Sequence, residues 1–83
     1  MKVLYFAWVR QKIGCSDESL SLPPQVRTIA ELIETLRARG PGYAEAFAEP
    51  QRLCAALNQE HVRFDAALCD EDELAFFPPV TGG

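Results

Sequence analysis

One amphipathic helix, closed at both ends, constrains this chain more than any other feature. Thr28-Ile29-Ala30-Glu31 is a capping box, with Thr28 as N-cap and Glu31 placed to reach back to it. Ile29, Leu32, Ile33 and Leu36 follow at helical spacing and form one apolar stripe. Glu34, Arg37 and Arg39 supply the wet face and a basic last turn, and Gly40-Pro41 ends the helix. A helix with one apolar stripe must bury it against another element. Strand-like segments on both sides of it make that element a sheet.

Val3 to Val9 is apolar throughout and holds Tyr5, Phe6 and Trp8, so the spacing predicts a strand. Gln11-Lys12-Ile13-Gly14 predicts a turn, with Gly14 free to take positive φ. Glu18 to Leu22 alternates polar and apolar, the pattern of a half-exposed strand that completes a hairpin and breaks at Pro23-Pro24. After the helix, Tyr43 to Ala48 suits a short second helix ended by Glu49-Pro50. Leu53 to Leu57 suits a buried strand, Asn58-Gln59-Glu60 a turn, and His61-Val62 a short return strand. Phe64 and Leu68 anchor the connection to a final strand, Leu74 to Phe77. The class is α+β. A right-handed crossover lays the helix over one face of a mixed sheet, the β-grasp arrangement.

The chain has 83 residues, enough for one domain with a small core. Its net charge is −4, from 12 acidic and 8 basic side chains, so it lacks the basic balance of a nucleic-acid binder. The acidic run Asp70 to Glu73 is expected to be a solvated turn that steers toward a basic surface. Cys15, Cys54 and Cys69 are odd in number and lack C-x-x-C spacing, which argues against a metal site and a disulfide framework. Reduced thiols imply a cytoplasmic protein. No apolar run reaches membrane-spanning length and no signal peptide precedes the first strand. His61 is the single histidine, expected at a turn on the surface or at an interface rather than as a ligand or base.

The end of the chain carries the chemistry. Phe76-Phe77 runs into Pro78-Pro79, then Val80-Thr81-Gly82-Gly83. Prolines cannot donate to a ladder, so pairing ends there and an extended path leads away. The domain is therefore residues 1–77 and the tail residues 78–83, a reach of roughly 20 Å when extended. Gly82 and Gly83 have no side chain, so a narrow channel admits their backbone and the terminal carboxylate. A carboxylate is a poor electrophile and needs activation, typically as an acyl-adenylate made from ATP. Sulfide attack on the adenylate leaves a thiocarboxylate, a better nucleophile.

The run Ala75-Phe76-Phe77-Pro78-Pro79-Val80-Thr81-Gly82-Gly83 resembles the terminal signature of the small, sulfur-carrier subunits of molybdopterin synthase. Lys2-Val3-Leu4-Tyr5-Phe6-Ala7, Val9-Arg10, Ala55-Ala56-Leu57-Asn58-Gln59 and Asp70 to Glu73 are also similar, so the resemblance spans nearly the whole chain. It implies a β-grasp fold with the first and last strands parallel at the centre of the sheet. It implies that Gly83 is adenylated by an enzyme related to ubiquitin-activating enzymes, using ATP, and thiocarboxylated by a sulfur donor. Pro78, Pro79, Val80, Thr81 and Gly82 would carry Gly83 into the large subunit of a heterotetramer. There the sulfur passes to cyclic pyranopterin monophosphate and builds the dithiolene. The chain itself would bind no cofactor and no metal and need no general base. It would be the sulfur-donating subunit of a heteromeric sulfurtransferase. The chain departs from the family in its acidic turn before the last strand, and at His61, where a more apolar partner-facing residue is expected.

Alternation in the last strand assigns Leu74 and Phe76 to the core, together with Val3, Tyr5 and Ala7. Leu4, Phe6, Trp8 and Phe77 then share the opposite face, an exposed apolar patch at the root of the tail. Phe6, Trp8 and Phe77 are the expected partner interface, with Arg10 and Lys12 as its charged rim. A sulfur carrier of another pathway, such as thiamine, shares the fold and the Gly-Gly end, though the Phe-Phe-Pro-Pro root argues against it. A ubiquitin-type modifier would use the same activated carboxylate to form an isopeptide. A plain interaction domain would find the tail dispensable.

Overall fold

A computed structural model of the chain describes residues 1–79. The expectations that fall on Val80, Thr81, Gly82 and Gly83 lie outside these described residues. Five strands form one mixed sheet: β1 (Lys2–Tyr5), β2 (Asp17–Ser19), β3 (Cys54–Leu57), β4 (Glu60–Val62) and β5 (Glu73–Phe77). Their order is β2-β1-β5-β3-β4. β5 is central, parallel to β1 and antiparallel to β3. Three helices accompany the sheet: α1 (Ala7–Ile13), α2 (Ile29–Arg37) and α3 (Pro41–Ala46), with a 3-10 turn at Pro50–Arg52. First and last strands lie side by side and parallel, as the family resemblance implied.

α2 is the crossover helix. The Thr28 hydroxyl accepts from the Glu31 amide at 3.2 Å, and the Glu31 carboxylate accepts from the Thr28 amide at 3.1 Å and the Arg27 amide at 2.7 Å. These amide hydrogen bonds hold the Glu31 carboxyl below its ordinary pKa. Ile29, Leu32, Ile33 and Leu36 are all buried. They meet Val3, Tyr5, Ala55, Leu74 and Phe76 on the inner face of the sheet. Phe76 is the hub of that layer: its ring lies edge-on to Phe47 at 5.0 Å and stacks with Tyr5 at 6.4 Å.

The segment Val3 to Val9 is not one strand. β1 stops at Tyr5 and the chain turns into α1 after the extended Phe6. Ala7, expected in the core, is exposed and takes φ 55°. That left-handed conformation costs an alanine roughly 1–2 kcal/mol and ends the strand. A wholly apolar run carries no period, whereas Val9 and Ile13 are one helical turn apart and both pack on the core. The expected turn Gln11–Gly14 is the last part of α1 and its cap, with Gly14 at φ 96° donating its amide to the Arg10 carbonyl. The β1–β2 connection is therefore a helix rather than a tight hairpin. β2 is also shorter and earlier than expected, ending at Ser19, while Leu20 and Leu22 pack under the core as irregular chain.

The β3–β4 hairpin turns through Asn58 at φ 51° and Gln59 at φ 72°, two left-handed residues in sequence, as a two-residue I′ turn requires. The acidic run organises the turn into β5. Asp72 accepts from the Cys69 amide at 2.8 Å and the Asn58 side-chain amide at 3.0 Å, and Asp70 accepts from the Leu22 amide at 2.7 Å. An Asp-rich turn thus closes through side-chain hydrogen bonds that a glycine could not make.

Candidate functional site at the root of the tail

All three helices pack on one face of the sheet, so the other face is set by strand parity alone. On β5, Leu74 and Phe76 are buried beneath the helices, while Ala75 and Phe77 point outward and are half-buried. The β1–β5 register pairs Leu4 with Ala75, and the β3–β5 register pairs Ala56 with Ala75 and Cys54 with Phe77. His61 lies opposite Ala56 on β4. Leu4, Ala75, Ala56 and His61 therefore form one row across the outer face, and Phe77 and Cys54 begin the next. Phe6 extends β1: its amide donates to the Phe76 carbonyl at 3.1 Å, and its backbone is extended. This puts its ring on the same side as Phe77. Phe6 is 47% exposed, the most exposed large apolar side chain among the described residues.

The result is an apolar surface made of Leu4, Phe6, Ala75, Phe77, Cys54 and Ala56, none of which belongs to the buried core. Its geometry is the one the sequence assigned to Leu4, Phe6 and Phe77. Pro78 and Pro79 follow directly, half-buried and exposed respectively, so the tail leaves from the edge of this surface. The His61 ring meets the Phe77 ring edge-on at 5.1 Å.

Trp8 does not join this face. It sits on α1, where its half-buried ring lines a cleft of about 360 Å³ with Lys12, Glu45, Glu49 and Arg52. The Arg52 guanidinium lies 5.9 Å from the centre of the indole. The displacement follows from the early end of β1, because alternation ceases at Phe6 and helical spacing takes over. Lys12 is drawn to the same flank, with its ammonium 2.6 Å from the Glu45 carboxylate. Arg10 is exposed on the opposite flank of α1, separate from both Trp8 and Lys12. Phe6 and Phe77 are brought together, whereas Trp8 and Lys12 share one flank of α1 and Arg10 lies on the other. Alternation along the last strand already places Ala75 beside Phe77, but Cys54 and Ala56 were not singled out from the sequence. The parity of Cys54 to Leu57 would have found them once its register against β5 was known.

Behind the sheet, a polar cluster holds β2 against the helices. Glu18 accepts from the Tyr5 hydroxyl at 2.7 Å, from the Tyr43 hydroxyl at 2.8 Å and from the Arg39 guanidinium at 3.0 Å. Burial pushes the Glu18 carboxyl up, but these three donors outweigh it and hold its pKa below the ordinary value. Burial, with the Glu18 carboxylate beside them, pushes both tyrosine hydroxyls up. The same two causes push the Cys15 thiol up. All three cysteines are free thiols. Among the described residues no cluster of His, Cys, Asp and Glu is arranged to hold a metal ion, and no helix is long and apolar enough to cross a membrane.

A small sheet wrapped on one crossover helix, with its central strand running out at the C-terminal end, defines a ubiquitin-like β-grasp protein. The chain belongs to the ThiS family, whose model matches residues 3–83. It is 42% identical over 83 residues to the molybdopterin synthase sulfur carrier subunit of Escherichia coli, covering 100% of this chain and 99% of the relative. It is 37% identical to the protein of the same name from Haemophilus influenzae, with the same coverage. Among solved structures it is similar to a putative molybdopterin converting factor, subunit 1, from Pyrococcus furiosus. That match has a TM-score of 0.76 and 34% identity, over 95% of each chain.

Proposed function

We propose that this chain is the sulfur-carrier subunit of a molybdopterin synthase and works in the cytoplasm. The observation that carries the reading is the full-length identity of 42% to a relative of that name, joined to a chain that ends Pro78-Pro79-Val80-Thr81-Gly82-Gly83. The chemistry belongs to Gly83. Its carboxylate attacks the α-phosphorus of ATP on a ubiquitin-activating-enzyme-like adenylyltransferase, and pyrophosphate leaves. Sulfide supplied by a donor then attacks the acyl carbon and AMP leaves, giving the thiocarboxylate. In the large subunit the thiocarboxylate sulfur forms a C–S bond to a side-chain carbon of cyclic pyranopterin monophosphate as the oxygen on that carbon departs with its electron pair. A second charged chain supplies the second sulfur of the dithiolene in the same way. Hydrolysis of the resulting thioester leaves sulfur on the pterin and restores the Gly83 carboxylate.

The outer face supports this reading from the side of binding. An apolar surface beside the exit of the tail can hold the large subunit while the tail is inside it, in a heterotetramer. Phe6 and Phe77 are its aromatic anchors, and aromatic anchors carry a large share of interface energy. Arg10, exposed on the flank of α1 away from Trp8, would tune association rate more than affinity. Trp8 contributes only by supporting α1.

The deciding experiment is intact-mass analysis of the chain after incubation with the activating enzyme, ATP and a sulfur source. The expected product is heavier by the exchange of one oxygen for sulfur, mapped to Gly83, and it converts cyclic pyranopterin monophosphate when mixed with the large subunit. Deleting Gly83, or adding a residue after it, should abolish both results while leaving the fold intact. Full sulfur transfer by either variant would refute a terminal-carboxylate mechanism. Isopeptide conjugates without any thiocarboxylate would establish a protein modifier instead.

A further inference from the structure

His61 is the one polar ring set into the row Leu4, Ala75, Ala56, His61 on the outer face. It is exposed, and its edge contact with Phe77 places it beside the central anchor of the surface. Any partner that covers Phe77 must also cover part of this ring. A ring N–H taken out of water without a new acceptor loses its hydrogen bond to solvent, a penalty comparable to that of a missing interface contact. The neighbouring chain points to the chemistry of the acceptor. Arg63, one residue beyond β4, is exposed and has no ion pair among the described residues. The chain at the end of β4 therefore carries two exposed donors two residues apart, His61 and Arg63.

We infer that His61 determines which partner this face accepts, by requiring a carboxylate opposite its ring on the large subunit. The inference rests on the proposed function and adds a selectivity rule to it. Phe6 and Phe77 provide apolar area that many surfaces can match. His61 makes that area costly to bury for a partner that is apolar throughout, because such a partner leaves the ring unpaired. The β4 edge then acts as the filter and the β5 centre as the anchor.

The test uses the full chain and its large subunit from the same organism, with calorimetric titration of His61→Leu, His61→Gln and Phe77→Ala. His61 is exposed, so all of its variants are expected to fold. His61→Leu should weaken binding about tenfold, since the partner carboxylate is left buried without a donor. His61→Gln keeps a side-chain N–H and should stay within about threefold of the parent. In the complex of the parent chain, nitrogen-15 spectra of the histidine should show one ring N–H protected from exchange with water. Equal or tighter binding by His61→Leu overturns the inference, because an apolar partner would then be preferred. So does an unprotected ring. The reading on which it rests fails separately: Phe77→Ala would leave binding unchanged, whatever the His61 variants do.

Discussion

At the scale of single residues, Glu18 shows how an acidic side chain can hold a small core together. It lies on β2 at the Val3 register position, facing inward, and three donors converge on it from β1, from α3 and from the segment after α2. Its carboxyl is depressed below the ordinary 4.5, so the ionised form is favoured by folding. A depressed carboxyl adds stability that is complete above the unfolded pKa and is lost as the pH falls through the folded pKa. Glu18→Ala should therefore cost about 2 kcal/mol at pH 7, since it leaves the Tyr5 and Tyr43 hydroxyls without their acceptor. The difference from the parent should shrink as the pH is lowered below 4.5. Urea denaturation at neutral and acid pH measures both. A difference that is the same at each pH would mean that packing, not the charge, accounts for the loss. Burial keeps the Tyr5 hydroxyl protonated past its ordinary 10.0, so alkaline titration should find it silent long after a free tyrosine has ionised.

At the scale of elements, legibility followed the strength of local signals. α2 was readable in full, because a capping box, a regular stripe and a glycine stop all agree on one segment. β3, β4 and β5 were readable within a residue or two, since turn residues bound short apolar runs. α1 was not. Tyr5, Phe6 and Trp8 favour strand by type, and only the tertiary contacts of Val9 and Ile13 select helix. A second cue was present but silent in sequence. Gly42 in α3 lies where an added Cβ would be 2.5 Å from the Lys12 carbonyl oxygen, so the two short helices touch through their backbones. Gly42→Ala should gain about 1 kcal/mol of helix propensity. The clash is with main chain, which cannot step aside as a side-chain end can, and overpacking of this kind costs about 1–3 kcal/mol. The expected outcome is a net loss of about 1 kcal/mol with Trp8 and Lys12 displaced, seen as a lower melting temperature and a shift in Trp8 fluorescence. A more stable Gly42→Ala protein would show that α1 and α3 have room to separate.

At the scale of the whole molecule, the division of labour runs through two adjacent residues. The sequence identified the two faces of β5 correctly, because alternation at the end of a strand needs only one residue to be fixed as inward. It misplaced Trp8, because the same alternation was carried past the point where β1 ends. The candidate surface was thus legible on β5 and at Phe6, and lost where a helix begins. Phe76 and Phe77 turn this into a measurement. Phe76 is fully buried against Phe47 and Tyr5, so Phe76→Ala should remove about 3–5 kcal/mol of stability. That is a large share of the roughly 5–15 kcal/mol available to a domain, and the variant should be partly unfolded at physiological temperature. Phe77 faces outward, half-buried, with His61 against its ring. Phe77→Ala should change the unfolding free energy by less than about 1 kcal/mol, and weaken binding of the large subunit by about 2 kcal/mol. Paired denaturation and calorimetric titration of the two variants separate the roles. If Phe77→Ala were the variant that unfolds, the outer face would be part of the core and the partner surface would have to lie elsewhere. If both variants fold and bind normally, the tail alone would hold the partner, and its six residues would have to supply the whole affinity.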